Sequence, residues 1–142
     1  MSARRAPASS PESEPFWEAT RERRLVLQWC TICDEPVQFP RSFCPGCQRS
    51  SLEWRDAAGT GTVYAVTVEH KPEAMAVEEP YAIALVDLDE GARFMTNVIG
   101  CEPDDVRIGM AVRVTWEALE DGRNLPLFEP VVIGPVAQLR EG

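Results

Sequence analysis

The chain has 142 residues, 44% of them hydrophobic, and a formal net charge of −9. This length predicts about one domain, and no apolar run approaches the ~20 residues that span a bilayer. Residues 1–55 carry eight arginines against seven acids, whereas residues 56–142 carry six basic and sixteen acidic residues. With no such apolar run, we expect no membrane as a partner. Because binding to a phosphate backbone needs a basic surface, we expect no nucleic acid as a partner either.

Residues 1–14 are predicted to be a disordered leader or a linker. They are rich in Ala, Ser, Pro and Arg and show no apolar periodicity. The beginning of the chain has no apolar segment of the kind that signal peptides contain, so we expect a cytoplasmic location. In that reducing compartment, cysteines serve as metal ligands more readily than they form disulfides.

A short helix is predicted over residues 16–24, with Ser13 as its cap and Pro15 in its early turn. Phe16 and Trp17 give this helix an apolar face. Two interpretations stay open. The two rings either pack on the metal module that follows, or they dock a partner protein, since aromatic anchors are common in interfaces.

Two Cys-x-x-Cys pairs follow, separated by ten residues: Cys30 and Cys33, then Cys44 and Cys47. Each pair can hold one side of a tetrahedral ion, so the spacing predicts a four-thiolate metal site. Zinc is the expected occupant, and with four protein ligands it would be structural, because no coordination position is left for water. Rubredoxin-type iron and a pair of disulfides are the alternatives.

The residues around the cysteines predict a zinc ribbon that, with the helix, occupies residues 15–56. Strands are expected at residues 25–29 and 51–55, before the first pair and after the second. The loop of residues 34–43 contains Phe39. We expect this apolar tip either to cover the metal sulfurs or to contact a partner.

From residue 57 onward the pattern changes to β structure and predicts a five-stranded OB-fold barrel over residues 57–142. The fourth strand alternates, with Val112, Val114, Trp116 and Ala118 predicted to face inward. The fold class is therefore mainly β, with a short N-terminal helix, a four-cysteine zinc ribbon and a barrel. Since both modules commonly bind DNA or RNA, a nucleic-acid-binding zinc-ribbon/OB protein is an alternative function, which the acidic charge of the barrel disfavours. The predicted barrel strands are residues 62–69, 81–88, 93–99, 111–118 and 127–133.

No self-sufficient catalytic constellation is visible in the sequence. His70 is the only histidine, and no Ser or Cys nucleophile adjoins it, so an exposed turn residue is expected. Cys101, the fifth cysteine, has no basic neighbour that would lower its pKa, which favours a buried and inert thiol.

The order of elements in this chain resembles the DUF35 family. A helix with Phe-Trp comes first, then a four-cysteine ribbon, then an OB-type barrel. The matching segments extend over more than 100 residues. They are residues 15–17, 25–33, 40–41, 44–47, 52–54, 59–64, 80–81, 85–91, 108–110 and 128–130.

This resemblance implies a non-catalytic accessory role beside a thiolase-fold acyl-CoA enzyme. Family members look like partners of thiolases, HMG-CoA synthases and the lipid-transfer-protein-like aldolases of steroid side-chain breakdown, and some accompany MaoC-like hydratases. Retro-aldol cleavage of a steroid acyl-CoA by such a partner is the expected reaction. Arg21, Arg23 and Arg24 either help to hold the phosphates of coenzyme A or form surface pairs with Glu18 and Glu22.

Overall fold

The computed structural model describes residues 7–37, 40–69 and 80–131. In these ranges the chain forms one α-helix, one short 3-10 helix and eight strands. The α-helix is too short to cross a membrane, and no other helix in the described ranges could do so. The elements are α1 (Glu14–Thr20), β1 (Val26–Cys30), β2 (Glu35–Val37), β3 (Leu52–Asp56), β4 (Thr60–Glu69), β5 (Tyr81–Leu88), β6 (Arg93–Val98), the 3-10 helix (Pro103–Asp105), β7 (Ala111–Ala118) and β8 (Asn124–Pro130).

The ribbon is a three-stranded antiparallel sheet in the order β2-β1-β3. Gln28 in the central strand lies opposite Val37 on one side and Trp54 on the other. Strand β2 was not predicted, because a three-residue strand with Pro36 at its centre has no recognisable period. It lies at the edge of the sheet, where a missing backbone N–H is tolerated.

The second sheet closes into a barrel in the order β4-β5-β6-β8-β7. Neighbouring strands of the barrel pair in the antiparallel direction, with one exception. Strands β6 and β8 run parallel where Val98 lies opposite Phe128. This confirms the predicted five-stranded OB-fold barrel. Gly61 allows β4 to approach β5 closely, since a Cβ there would lie 2.5 Å from the backbone oxygen of Asp87.

Two details of the barrel prediction were wrong. The last strand begins at Asn124, three residues before the predicted start at residue 127, and residues 132–133 of the prediction lie outside the described residues. Ala118 was expected to face inward but is exposed, because it lies at the end of β7 beyond the closed part of the barrel. Val112 is fully buried, and Val114 and Trp116 are partly buried against the core.

The short helix packs on the barrel at the first residues of β8. The side-chain amide of Asn124 donates to the carbonyl of Thr20 at 2.8 Å, and its backbone N–H donates to the Thr20 hydroxyl. The ring of Phe16 lies 6.2 Å from that of Phe94 in β6. The helix ends at Thr20 rather than at residue 24, and Arg23 adopts a positive φ of 56° in the turn that follows.

Candidate functional site

The four predicted metal ligands meet at one end of the ribbon. The Sγ atoms of Cys30, Cys33, Cys44 and Cys47 all lie within 4.8 Å of one another. Cys30 and Cys47 are separated by 3.7 Å, and Cys33 and Cys44 by 4.0 Å. A tetrahedron with Zn–S bonds of ~2.3 Å has sulfurs about 3.8 Å apart, whereas a disulfide requires about 2.05 Å. The cluster therefore fits a tetrahedral ion, and all four cysteines are free.

The two cysteine pairs are built by the same local geometry. The residue after each pair, Asp34 or Gln48, has a positive φ close to 60°. Its backbone N–H bonds back to the carbonyl of the first cysteine of the pair, at 2.8 Å and 2.7 Å respectively. This turn aims backbone N–H groups at the sulfurs: that of Cys33 points at Cys30, and that of Gly46 at Cys44.

The electrostatics of the cluster favour a bound cation. The backbone N–H of Cys33 and the hydroxyl of Ser51 lower the pKa of the Cys30 thiol to about 6. Hydrogen bonds with the neighbouring sulfurs, that of Cys30 first, raise the pKa of Cys33 to about 12. The backbone N–H of Arg49 also lowers the pKa of the Cys47 thiol. Two of the thiols therefore ionise more readily than a free cysteine, whereas loss of the proton from Cys33 requires a positive charge at the centre. A divalent ion supplies that charge and displaces the remaining protons.

Zinc fits this donor set. Four soft thiolates at tetrahedral spacing suit it, and no ligand position is left for water or substrate. The chemistry that such an ion supplies is therefore confined to holding the ribbon. The residues of the ribbon keep the sulfurs in place, with Cys30 and Cys44 buried and Leu52 packed against them.

A second feature is an apolar cavity of about 410 Å³ between helix, ribbon and barrel. Five aromatic side chains contribute to its walls, and they come from four different elements. No sequence signal could have grouped them, because they are brought together only by packing of the ribbon on the barrel. They are Phe16, Trp17, Trp54, Tyr81 and Phe94.

The predicted partner-binding residues lie partly at this cavity. Phe16 and Trp17 are half-buried and line it, with Trp17 also 5.0 Å from the guanidinium of Arg123. Their described ring contacts are with each other and with Phe94 of the barrel. Phe39 lies outside the described residues. Docking of a partner by these three residues stays a prediction.

Two of the three predicted CoA-binding arginines are engaged in ion pairs. Arg21 pairs with Glu18 at 3.2 Å and donates to the carbonyl of Asp121 at 2.8 Å. Arg24 contacts both Glu22 and Asp56, the latter at 2.7 Å. Arg23 is exposed, and no ion pair is found for it among the described residues. CoA binding by these residues stays a prediction.

Sequence reasoning missed two buried polar residues that hold the site together. The amide of Gln28 bonds to both the N–H and the carbonyl of Arg41, which fixes the chain just before the second cysteine pair. Arg123 pairs with Asp121, faces Trp17 and donates to the carbonyl of Pro7 at 2.8 Å. In the sequence alone, nothing distinguishes either residue from an ordinary polar surface residue.

The described residues contain no constellation for nucleophilic catalysis. The pKa of the half-buried Cys101 thiol is raised by burial and by the carboxylates of Asp105 and Glu102, so this thiol is a poor nucleophile. His70 lies outside the described residues.

Two family models match this chain, one for each module. Residues 17–53 match the family model described as the rubredoxin-like zinc ribbon domain of ChsH2. Residues 54–117 match the model described as its C-terminal OB-fold domain. A DUF35 domain-containing scaffold protein of Methanocaldococcus jannaschii is 38% identical, over 75% of this chain and 78% of the relative.

Two longer relatives are named as hydratase subunits. A probable enoyl-CoA hydratase alpha subunit of Thermomonospora curvata is 40% identical over 89% of this chain. The 3-oxo-4,17-pregnadiene-20-carboxyl-CoA hydratase alpha subunit of Mycobacterium tuberculosis is 31% identical over 87% of this chain. The chain spans only 40% and 39% of the length of these relatives.

A solved structure is similar over its whole length. A chain of the Ltp2-ChsH2(DUF35) aldolase superposes with a TM-score of 0.82 and 40% sequence identity. The superposition covers 89% of this chain and 100% of that one.

Proposed function

The chain belongs to the DUF35 family, and from this premise we propose that it is an accessory subunit or domain of a thiolase-fold acyl-CoA enzyme. In this role it binds the partner and completes it, and the bond-breaking residues belong to the partner. The reaction is retro-aldol cleavage of a steroid acyl-CoA.

One observation carries this proposal: the chain covers the complete DUF35 chain of a solved aldolase at 40% identity. The superposition over the full length matters, because it includes the arrangement of the ribbon on the barrel. The two chains therefore share that arrangement as well as the two modules. The steroid part of the proposal is supported by the relative whose name contains a pregnadiene carboxyl-CoA. Hydratase activity is not carried over, since the hydratase subunits are more than twice as long as this chain.

The chemistry of the described residues supports an accessory role. The four cysteines form a coordinatively closed site, and Cys101 is a poor nucleophile. An aldolase needs a base and a group that stabilises the developing enolate. The described residues offer no such pair, so we assign both to the partner.

A second candidate is a scaffold for a thiolase or an HMG-CoA synthase. It is favoured by two relatives, of Methanocaldococcus jannaschii and Methanothermobacter thermautotrophicus, which are named DUF35 domain-containing scaffold proteins and are matched over 78% and 89% of their length. Both candidates predict a thiolase-fold partner, and they differ in the reaction of the complex.

The decisive experiment is affinity purification of the tagged chain from its native host, followed by reconstitution with the protein that co-purifies. We expect a thiolase-fold protein, no cleavage by the chain alone, and release of a ketone and an acyl-CoA when the complex receives a β-hydroxy steroid acyl-CoA. The partner alone should be inactive or unstable.

Full activity of the partner without the chain would contradict the accessory role. Carbon–carbon bond formation from two acyl-CoA molecules, without retro-aldol cleavage, would favour the scaffold candidate. A tagged Cys44→Ser variant is a useful control, since loss of the ribbon should prevent co-purification.

A further inference from the structure

The apolar cavity between helix, ribbon and barrel is not needed for metal binding. None of the four cysteines lines it. Its volume of about 410 Å³ lies within the range of ~300–1,000 Å³ that small-molecule sites occupy. Its position at the junction of two modules is also typical of ligand sites.

Four polar side chains of the walls already make hydrogen bonds inside the protein. The hydroxyl of Thr96 donates to the carbonyl of Pro126, and the amide of Asn97 donates to the carbonyl of Ala82, both at 3.1 Å. Gln28 bonds to the backbone of Arg41, as described above, and Ser13 bonds to Ser10. Water would therefore find few partners along these walls, whose surface is mainly apolar. The walls favour an apolar occupant.

The aromatic composition of the walls favours a rigid occupant. Flat rings from Phe16, Trp17, Trp54, Tyr81 and Phe94 contribute to them. A fused-ring hydrocarbon can lie against such faces and loses no internal rotations on binding, whereas a flexible acyl chain pays for ordering each of its bonds.

A smaller hollow next to the cavity supplies polar groups. It shares Gln28 and Trp54 with the cavity, and Glu12, Arg41 and Ser42 also line it. Arg41 is exposed, and its described hydrogen bonds are made by its backbone, so its guanidinium remains available. An amphipathic ligand can thus place its rings in the cavity and a polar end beside Arg41.

We propose that this cavity binds the fused-ring part of a steroid-type substrate or product. The choice of a steroid rests on the proposed function, through the relative that is named for a pregnadiene carboxyl-CoA. The accessory chain would then contribute to substrate binding in addition to its structural role.

The test uses the zinc-loaded full chain and androst-4-ene-3,17-dione as a ring probe without CoA. Equilibrium dialysis measures the stoichiometry, and the fluorescence of Trp17 and Trp54 reports on occupancy. We expect saturable binding of one steroid per chain, and much weaker binding of palmitate. Absence of saturable steroid binding would overturn the proposal, and equal binding of palmitate would overturn the assignment to fused rings.

A matched pair of variants locates the site. Ile83 and Leu85 are both half-buried and lie two residues apart on β5, but only Ile83 lines the cavity. Ile83→Glu should weaken steroid binding at least about tenfold, because a carboxylate would have to lose its water beside an apolar ligand. Leu85→Glu should leave the affinity within about twofold, as expected for a change outside the site. Equal effects of the two variants would contradict the assigned location.

Controls separate this proposal from other outcomes. Zinc content and circular dichroism show whether each variant is folded, and Ile83→Trp, which fills the cavity without adding charge, replaces Ile83→Glu if that variant does not fold. If the wild-type chain binds no steroid but Ile83→Glu loses the thiolase-fold partner, the cavity is a protein-docking site and the steroid proposal fails. If steroid binds but no such partner co-purifies, the proposed function fails and the cavity assignment stands.

Discussion

The ribbon and the barrel differ in what fills their interiors. Among the described residues, the ribbon's own buried cluster consists of Cys30, Val37 and Cys44, so two of its three members are metal ligands. The cluster centred on the barrel has thirteen buried residues, all of them apolar. The barrel can be stabilised by hydrophobic burial, whereas we expect the ribbon to depend on a bound ion for its folding free energy.

The two modules are nevertheless joined through one strand. Leu25 and Leu27 precede the first cysteine pair, yet both are buried in the cluster of the barrel. The stability of the ribbon should therefore depend on the barrel, whereas that of the barrel should not depend on the ribbon. The barrel can persist when the metal site fails, but the ribbon loses its support when the barrel fails.

The largest effect is expected from Cys44→Ser. Structural zinc contributes on the order of 10 kcal/mol to small zinc modules, and the ribbon has too few buried residues to replace it. Hydrogen exchange should show loss of protection over residues 28–56, while strands β4 to β8 and Leu27 keep theirs. Cys101→Ser is the matched control and should retain one zinc per chain. Full protection of the ribbon in metal-free Cys44→Ser would contradict a structural role for the ion.

Phe128→Ala tests the opposite direction. Phe128 is fully buried in the barrel, and its truncation should lower the free energy of unfolding by roughly 3–5 kcal/mol in urea denaturation. Because Leu27 packs in the same cluster, protection of the ribbon should fall together with that of the barrel. Phe43→Ala, at a ring that is 53% exposed beside the second cysteine pair, should cost about 0.5 kcal/mol or less. A ribbon that stays protected in Phe128→Ala would show that the two modules are independent.

The smallest effect concerns the junction of helix and barrel. Hydrogen bonds from Arg123 hold the pKa of the Asp121 carboxyl below its usual 3.8. Because the pKa is lower in the folded state, this pair stabilises the protein above pH 3.8, and the contribution is lost as the pH falls through the folded-state value. The difference in melting temperature between wild type and Asp121→Asn should therefore shrink in acid. A difference that is constant from neutral pH into this acidic range would show that the pair contributes nothing. Comparing the two proteins at each pH removes the effect of acid on the metal site.

Local features of the site were predictable from the sequence, while contacts between modules were not. The four metal ligands follow from the spacing of the cysteines, and the barrel strands from short β-rich segments between turns. Strand β2 was missed because pairing with β1, not local propensity, makes residues 35–37 extended. Ala118 was misplaced because alternation specifies two faces but not where closure of the barrel ends.

The amino-acid sequence by itself determined a closed four-thiolate site, an OB-type barrel and a likeness to an acyl-CoA-associated family. These rest on spacing and periodicity, which act over a few residues. Only the tertiary structure decided that Phe16 and Trp17 face a cavity and that Arg21 and Arg24 are engaged in ion pairs. It alone brings Trp54, Tyr81 and Phe94 together. Such contacts join residues far apart in the chain, and packing of the ribbon on the barrel, which no local pattern encodes, creates them.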